Sequence, residues 1–377
     1  MKMPETPKRN IQRLRRILLV CFSDVVNIVH GLPVLSALRL RFPYAEIAWL
    51  TEESNALLLN RLFSLDRLLI VKSCSLRSFD GVFRLRKRLQ DFAPDVTIDL
   101  QSRFKSAFAA WLSGAKIRIG FGGVEGRECS GWFNNHLVVP DAEHAVEQNI
   151  QLLQPLGIYG SSICFDLFEC EIDRYCAQGI LNRSGLHGNF AIICAGAGGD
   201  GNTNNNSNGN IESKFWHEKY YADLAAYLSE QWNLPSLVVW SNESEQKFAE
   251  RISNITGGVA KLAPAIALNE YSAIARKATI TVGADTAQLH IAAAVGTKCL
   301  GLCGNTNQKR NAPYGEKNYA LQKTLNKNTQ NKNQNQISDA IDTAAICNIC
   351  DKMLNDILKP QKINNTQQKI NAGKKVA

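Results

Sequence analysis

The sequence predicts an α/β protein with two facing Rossmann-like domains, each built on a parallel sheet, and an interdomain cleft. Short apolar runs alternate with amphipathic stretches in both halves of the chain, a pattern typical of βαβ units. The length of 377 residues also suits two domains better than one. Ligands of such sheets bind beyond the carboxyl ends of the strands, so the cleft is the expected site.

The first half of the chain contains short apolar runs that are predicted to be buried strands. They are Arg16–Phe22, Glu46–Leu50, Leu68–Val71 and Val96–Leu100. The first helix is predicted to begin at Pro33, because proline suits the first helical position and an apolar face follows it. Two more helices are predicted at Phe83–Asp91 and Ser106–Leu112.

A second βα series begins after an irregular stretch near residues 182–189. Its predicted strands are Phe190–Cys194, Ser236–Trp240, Thr279–Val282 and Lys298–Leu302. Its predicted helices are Tyr220–Leu228, Ser244–Ile252, Leu268–Ala275 and Ala287–Val295. The predicted boundaries are a basic extension 1–15, domains 16–180 and 188–335, a helix 336–358 and a disordered tail 359–377. The Asn-rich run Asn202–Asn210 is predicted to be a mobile surface loop.

The composition and the net charge limit the classes of function that the protein can have. No apolar run approaches the roughly 20 residues that cross a bilayer, so the protein is interpreted as cytoplasmic. The net charge of +9 fits attraction to an anionic membrane surface or a phosphorylated substrate, and it equally fits solvated basic termini. No aromatic-and-basic module for nucleic acid is present. Cys347 and Cys350 have CxxC spacing but lie in a helical pattern, which disfavours a zinc or redox site.

The segment Gly283–His290 joins a buried strand to a helix rich in small residues. Asp285 or Thr286 can cap that helix, and its free N–H groups then form a site for a phosphate or diphosphate. An ordinary capped strand–turn–helix is the other interpretation.

Three other polar loops also follow predicted strands. Gly304–Gln308 is a glycine-marked loop, and Lys214 follows a glycine-rich turn. The loop Ser23–Pro33 presents Asp24, Asn27 and His30 but no GxGxxG, which argues against a dinucleotide site there. Asp24 or His30 can act as a base, whereas the amide of Asn27 cannot. Each loop is also compatible with a surface connection that has no chemical role.

Asp285-Thr286-Ala287, His290 and Ala292–Ala294 stand in the order D-T-A-x-x-H-x-A-A-A, and Gly304 and Pro313-Tyr314-Gly315 follow. From about Arg16 to Gly315 the chain resembles glycosyltransferase family nine, the bacterial lipopolysaccharide heptosyltransferases. His30–Pro33 is similar to the start of the family. Further segments resemble the heptosyltransferase I branch: Glu46–Glu53, Asp99–Gln101, Lys105-Ser106, Gly120-Phe121, Arg127-Glu128 and His144–Val146.

The resemblance implies a GT-B fold and an inverting, metal-independent transfer that needs no cofactor. The donor would be a nucleotide sugar, typically ADP-heptose, and the acceptor 3-deoxy-manno-octulosonic acid linked to lipid A at the inner-membrane face. Lys214 would stabilise the departing diphosphate. Further donor-binding positions implied by the resemblance are Asp285, Thr286, Ala287, His290, Gly304, Thr306 and either Glu243 or Glu245 for the nucleoside. The implied acceptor-binding positions are His30, Gln101, Lys105 and Arg127.

The chain departs from the family pattern at the first loop. Val26-Asn27 stands where the family has Gly-Asp, so the usual catalytic carboxylate is replaced by an amide, and loss of a general base typically costs about 10²–10⁴-fold in rate. Either Asp24 supplies the base, or the protein is an impaired paralogue that binds nucleotide sugar without efficient transfer. A nucleotide-sugar epimerase is a third hypothesis, but it needs carboxylates on both sides of the cleft, and no such set is identified.

Overall fold

The computed structural model describes residues 14–72, 75–196, 216–303, 307–322 and 343–358. Lys214, Gly304, Thr306, the Asn-rich run and the tail 359–377 lie outside them. The strands in chain order are β1 Arg16–Val20, β2 Glu46–Glu52, β3 Arg67–Val71, β4 Val96–Asp99, β5 Ile117–Phe121, β6 His136–Val138, β7 Ala191–Cys194, β8 Ser236–Val239, β9 Ala260–Leu262, β10 Ile280–Ala284, β11 Lys298–Cys303 and β12 Tyr319–Gln322.

The α-helices of the described residues lie between and after these strands. They are α1 Val25–Arg41, α2 Ala56–Leu59, α3 Phe79–Phe92, α4 Phe104–Leu112, α5 Ala145–Gln151, α6 Glu171–Arg183, α7 Glu218–Trp232, α8 Glu243–Ile255, α9 Leu268–Lys277, α10 Ala287–Ala294, α11 Gln308–Asn311 and α12 Thr343–Asn355. None of the helices in the described part of the chain combines the length and the apolar character that a membrane span requires.

The strands form two six-stranded sheets, ordered β3-β2-β1-β4-β5-β6 and β12-β11-β10-β7-β8-β9. All strand pairs are parallel. When strands are counted within each half, both sheets have the order 3-2-1-4-5-6 of the Rossmann fold. The prediction of two Rossmann-like parallel sheets is therefore confirmed.

The central strands are apolar because helices cover both faces of each sheet. In β1, residues Ile17–Val20 are fully buried between the neighbouring strands β2 and β4. In β7, every residue is buried between β8 and β10. Strands that are buried on both faces have nearly continuous apolar sequences, and for this reason the sequence pattern located them.

Helix α1 begins eight residues before the predicted start at Pro33. Asp24 caps the helix, since its side chain accepts a hydrogen bond from the backbone N–H of Asn27. Pro33 lies inside the helix, where its ring removes one backbone donor. The prediction was wrong because this aspartate cap acts earlier in the chain than the proline.

Several elements that the sequence pattern missed are short or mostly polar. Strands β6 and β9 contain only three residues each. Helix α6 is largely polar, but it buries Ala177, Ile180 and Leu181 and packs against α9. Its range crosses the predicted domain end at residue 180.

The two lobes share one apolar core at the base of the cleft. Helix α1 of the N-terminal lobe contacts α10 of the C-terminal lobe. Ile28 and Leu32 of α1 lie in the same buried cluster as Leu289 and Ala292 of α10. The starts of these two helices are therefore held close together by packing.

Candidate active site

The carboxyl ends of the central strands in both sheets lead into the loops that carry predicted site residues. In a 3-2-1-4-5-6 order, ligands bind where the chain direction of successive connections reverses, beyond the first and fourth strands. In the N-terminal lobe these strands are β1 and β4, and the loops after them carry Asp24 and Gln101. In the C-terminal lobe they are β7 and β10, and the loops after them carry Gly196 and Asp285.

Asp24 is an exposed carboxylate at the start of α1. Its Oδ1 accepts hydrogen bonds from the backbone N–H of Asn27 at 3.0 Å and from Asn27 Nδ2 at 2.8 Å. Asn27 Nδ2 also donates a hydrogen bond to Ser23 Oγ at 2.9 Å. Val26 adopts helical backbone in the first turn of α1, so this position does not need a glycine. The amide of Asn27 thus orients the Asp24 carboxylate.

Asp99, at the end of β4, organises the loop that carries Gln101. It is fully buried, and its Oδ1 accepts the N–H groups of Gln101 and Ser102 at 3.1 and 2.8 Å. Its Oδ2 accepts a hydrogen bond from Asn134 Nδ2 at 3.0 Å. A Cβ on Gly120 would lie 2.2 Å from that nitrogen, so this contact requires glycine. Burial raises the pKa of Asp99, and these hydrogen bonds oppose the rise.

Two of the predicted acceptor-binding side chains converge on Phe22, just after β1. Gln101 Oε1 accepts the Phe22 N–H at 3.2 Å. Lys105 Nζ lies 5.2 Å from the centre of the Phe22 ring and forms an ion pair with Glu52. The side chains therefore lie at one edge of the N-terminal lobe, beside Asp24.

Arg127, the third of these predicted residues, is linked to both lobes. Its backbone N–H donates to Ser102 O at 3.0 Å, and its side chain is 51% exposed. Glu125 Oε2 lies 3.7 Å from the Arg127 guanidinium and 3.4 Å from that of Arg310 in α11. A cation of the N-terminal lobe and one of the C-terminal lobe thus share one carboxylate across the cleft.

The start of α10 forms the C-terminal wall of the cleft. Thr286 caps the helix, with its Oγ1 accepting the N–H of Leu289 at 3.4 Å. Asp285 and Ala287 remain partly exposed on either side of it. A Cβ on Gly196, after β7, would lie 2.5 Å from Thr286 Cγ2, so glycine permits the close approach of the two loops. The helix cap predicted from the sequence therefore exists, and it lies against the loop after β7.

The structure separates the two glutamates that the sequence left as alternatives. Glu245 is buried, and its Oε2 accepts the Ser241 N–H at 2.8 Å. A Cβ on Gly196 would lie 3.1 Å from its Oε1, so Glu245 borders the loop after β7. Glu243 is exposed in the first turn of α8. Gln288 of α10 donates a hydrogen bond from Nε2 to Ser241 Oγ, which links α10 to the loop after β8.

His30 and His290 meet across the cleft, and both are only 2% exposed. His290 Nε2 lies 2.7 Å from Asp285 Oδ1, and His290 Nδ1 lies 3.1 Å from His30 Nε2. Because the carboxylate is an acceptor, it selects the His290 tautomer with hydrogen on Nε2. His290 Nδ1 then accepts from His30 Nε2–H. The sequence placed both residues in the site but did not pair them.

His144, which caps α5, completes a group of histidines between the lobes. Its ring centre lies 5.7 Å from that of His30 and 4.9 Å from that of Tyr314. Its Nε2 donates to Ala312 O at 2.8 Å and its Nδ1 accepts the Val146 N–H. Burial lowers the pKa of His144. Burial also lowers the pKa of His30 to well below 6.5, and the neighbouring His290, His144 and Arg310 lower it further.

The lowered histidine pKa values predict an acid-sensitive fold. Between pH 6.5 and the lowered values, the unfolded chain binds more protons than the folded one, so stability is present above pH 6.5 and is lost as the pH falls. We expect His30→Gln to reduce the change in the free energy of unfolding with pH by up to about 1.4 kcal/mol per pH unit. Urea unfolding at several pH values measures it. The exposed His187→Gln is the control, and an equal slope in both variants would contradict the assignment.

A groove of about 870 Å³ lies beside the C-terminal wall, along the edge strand β9. Trp240, Ala263 and Arg183 are among its lining residues. Trp240 Nε1 donates to Ala263 O at 2.8 Å, which joins the ends of β8 and β9. This groove could not be predicted from the sequence, because its walls come from segments that are far apart in the chain.

Comparison with known proteins defines the class of protein as a glycosyltransferase. The matching family model covers residues 82–341, which is more than half of the chain. The chain therefore belongs to Glycosyltransferase family 9 (heptosyltransferase).

Relatives and solved structures agree with this assignment. The chain is 22% identical to lipopolysaccharide core heptosyltransferase OpsX of Haemophilus influenzae, over 78% of this chain and 80% of that protein. It is 24% identical to lipopolysaccharide heptosyltransferase 1 of Pseudomonas aeruginosa, over 80% and 81%.

The structural comparisons confirm the predicted GT-B fold. A family 9 glycosyltransferase from Veillonella parvula superposes with a TM-score of 0.75 at 17% identity, over 91% of this chain and 98% of that one. E. coli heptosyltransferase WaaC with ADP-2-deoxy-2-fluoro heptose gives 0.68 at 19% identity, over 89% and 99%.

Proposed function

We propose that the protein transfers heptose from ADP-heptose to 3-deoxy-manno-octulosonic acid of the lipopolysaccharide inner core, with inversion and without a metal. One observation carries the proposal: an oriented, exposed Asp24 stands at the start of α1, and this helix packs against the capped helix α10 of the other lobe. The similar E. coli heptosyltransferase binds ADP-2-deoxy-2-fluoro heptose, which supports an ADP-sugar donor.

In the donor half, the N–H groups at the α10 tip and the hydroxyl of Thr286 would hold the diphosphate. The positive end of a helix favours such an anion. Glu245, beside Gly196, is the stronger candidate for nucleoside contact because it borders the loop after β7 and accepts a hydrogen bond from Ser241 in the loop after β8. Lys214 is proposed to stabilise the leaving charge, and Gly304 and Thr306 to contact the donor.

In the acceptor half, Asp24 is the proposed general base. An acceptor hydroxyl attacks the anomeric carbon, its proton passes to Asp24, and the bond from that carbon to the diphosphate oxygen breaks. The helix N–H groups stabilise the charge that develops on the diphosphate. Gln101, Lys105 and Arg127 are proposed to bind the anionic acceptor.

The acceptor is a lipid, and we propose that the protein works on the cytoplasmic side of the inner membrane. A net charge of +9 favours contact with an anionic lipid surface. The alternative function is an impaired paralogue that binds ADP-heptose without efficient transfer, and the amide at position 27 is the observation that favours it.

The direct test is incubation of the protein with ADP-heptose and lipid A that carries 3-deoxy-manno-octulosonic acid. We expect a product heavier by one heptose, with an inverted anomeric configuration by NMR, and the same rate in the presence of a chelator. Binding of ADP-heptose without any product would instead support the impaired paralogue.

Replacing Thr286 by valine is expected to weaken ADP-heptose binding about fivefold to thirtyfold. Valine has the same shape but can neither cap α10 nor donate to the diphosphate, and a hydrogen bond to a charged group contributes about 1–2 kcal/mol here. Isothermal titration calorimetry measures the affinity. Thr286→Ser keeps the hydroxyl and is the matched control. Equal affinities for the valine and serine variants would place the diphosphate elsewhere.

A further inference from the structure

We propose that the His30–His290 hydrogen bond is a positioning bridge that sets the separation between Asp24 and the donor-binding tip of α10. The inference rests on the proposed function, because it assigns the acceptor base to the start of one helix and the diphosphate to the start of the other. His30 and His290 are positioning residues, since neither is exposed enough to contact substrate in this conformation.

The bridge connects equivalent places on the two helices. His30 follows Asp24 within the second turn of α1, and His290 lies one turn inside α10 from its cap Thr286. The 3.1 Å hydrogen bond thus joins the two helices close to their reactive ends, where they also pack together. Apolar packing alone is non-directional, whereas this bond fixes how far one helix can slide along the other.

The bridge also reaches the donor site directly. Asp285 precedes the α10 cap, and its carboxylate is bound by His290, which in turn accepts from His30. On the opposite side, the carbonyl of His30 accepts a hydrogen bond from the buried Asn149 Nδ2 at 3.1 Å. The Asp285 side chain is therefore oriented by a series of hydrogen bonds through His290 and His30 that ends in the N-terminal lobe.

The expected consequence is a change in turnover rather than in donor affinity. Donor contacts proposed for Thr286 and Glu245 lie wholly in the C-terminal lobe, so loss of the bridge leaves them in place. The distance between the acceptor oxygen and the anomeric carbon depends on both lobes. A misplacement of about 1 Å in such an arrangement costs up to about 10²-fold in rate.

The test compares His30→Leu with His30→Gln in steady-state transfer assays. We expect His30→Leu to lower kcat about tenfold to a hundredfold, with KM for ADP-heptose changed less than about threefold. Glutamine has an N–H that can reach His290 Nδ1, so His30→Gln recovers most of the loss. His187→Leu removes an exposed histidine from the loop before β7 and controls for the general effect of removing a histidine. Melting temperatures show that each variant is folded.

The possible outcomes separate the bridge from the proposed function. Equal kcat values for His30→Leu and wild type, or equal losses in the leucine and glutamine variants, would overturn the bridge while transfer itself stands. A rise in KM that matches the fall in kcat would also overturn it. An inactive wild-type protein would instead refute the proposed function.

Discussion

Replacement of Asp24 by asparagine is expected to lower the heptosyl transfer rate about 10²–10⁴-fold, the usual effect of removing a general base. Asparagine is as good a helix cap as aspartate, so α1 keeps its start and the fold is retained. Donor affinity is expected to stay unchanged, because the proposed donor contacts lie in the other lobe. Single-turnover assays at saturating ADP-heptose, together with calorimetric affinities, measure both quantities.

Asn27→Asp is the informative companion to this variant. The new carboxylate would stand where Asn27 Nδ2 now lies, 2.8 Å from Asp24 Oδ1. Two carboxylates at that distance repel each other, and the hydrogen bond that orients Asp24 is lost. We therefore expect no large gain in rate. A gain of orders of magnitude would show that the natural protein is impaired and that the base belongs at position 27.

Replacement of Asp99 by alanine is expected to lower the free energy of unfolding by roughly 3–5 kcal/mol, because each buried donor left without an acceptor costs about 1–3 kcal/mol. The donors are the N–H groups of Gln101 and Ser102 and the side-chain amide of Asn134. Ser102 has a φ of 47°, a conformation that Asp99 helps to hold. Urea unfolding measures the loss.

Asp99→Asn is the matched control for this prediction. The asparagine oxygen can still accept from Gln101 and Ser102, and its amide can donate to Asn134 Oδ1, which is buried without a partner. Since burial raises the pKa of Asp99, a neutral side chain also avoids the cost of a buried charge. We expect a much smaller loss than with alanine. Similar losses in the two variants would show that this hydrogen-bond network does not stabilise the loop.

The buried strands and the α10 tip were predictable because local sequence determines them. Strand β7 is apolar throughout and β1 is apolar after Arg16, and Thr286 caps α10 where the glycine, the capping residue and the small residues indicated. The start of α1 was not located, because the capping signal at Asp24 competed with the helix-start signal of Pro33. Edge strands such as β9 contain too few residues to show the alternation of apolar and polar side chains that identifies a strand.

Contacts between distant segments could not be read from the sequence. His30 and His290 were both expected near the site, but nothing in a single sequence pairs residues 260 positions apart. The same holds for Asp99 and Asn134, and for Glu125 between Arg127 and Arg310. These polar contacts depend on how the two sheets and their loops pack, which only the three-dimensional structure defines.

The most direct test of the central claim is a crystal structure of the protein with ADP-heptose and no acceptor. We expect the diphosphate within hydrogen-bonding distance of Thr286 and the first N–H groups of α10, and the anomeric carbon turned toward Asp24. Electron density for the diphosphate away from this helix tip, or a heptose that faces away from the N-terminal lobe, would contradict the proposed transfer reaction.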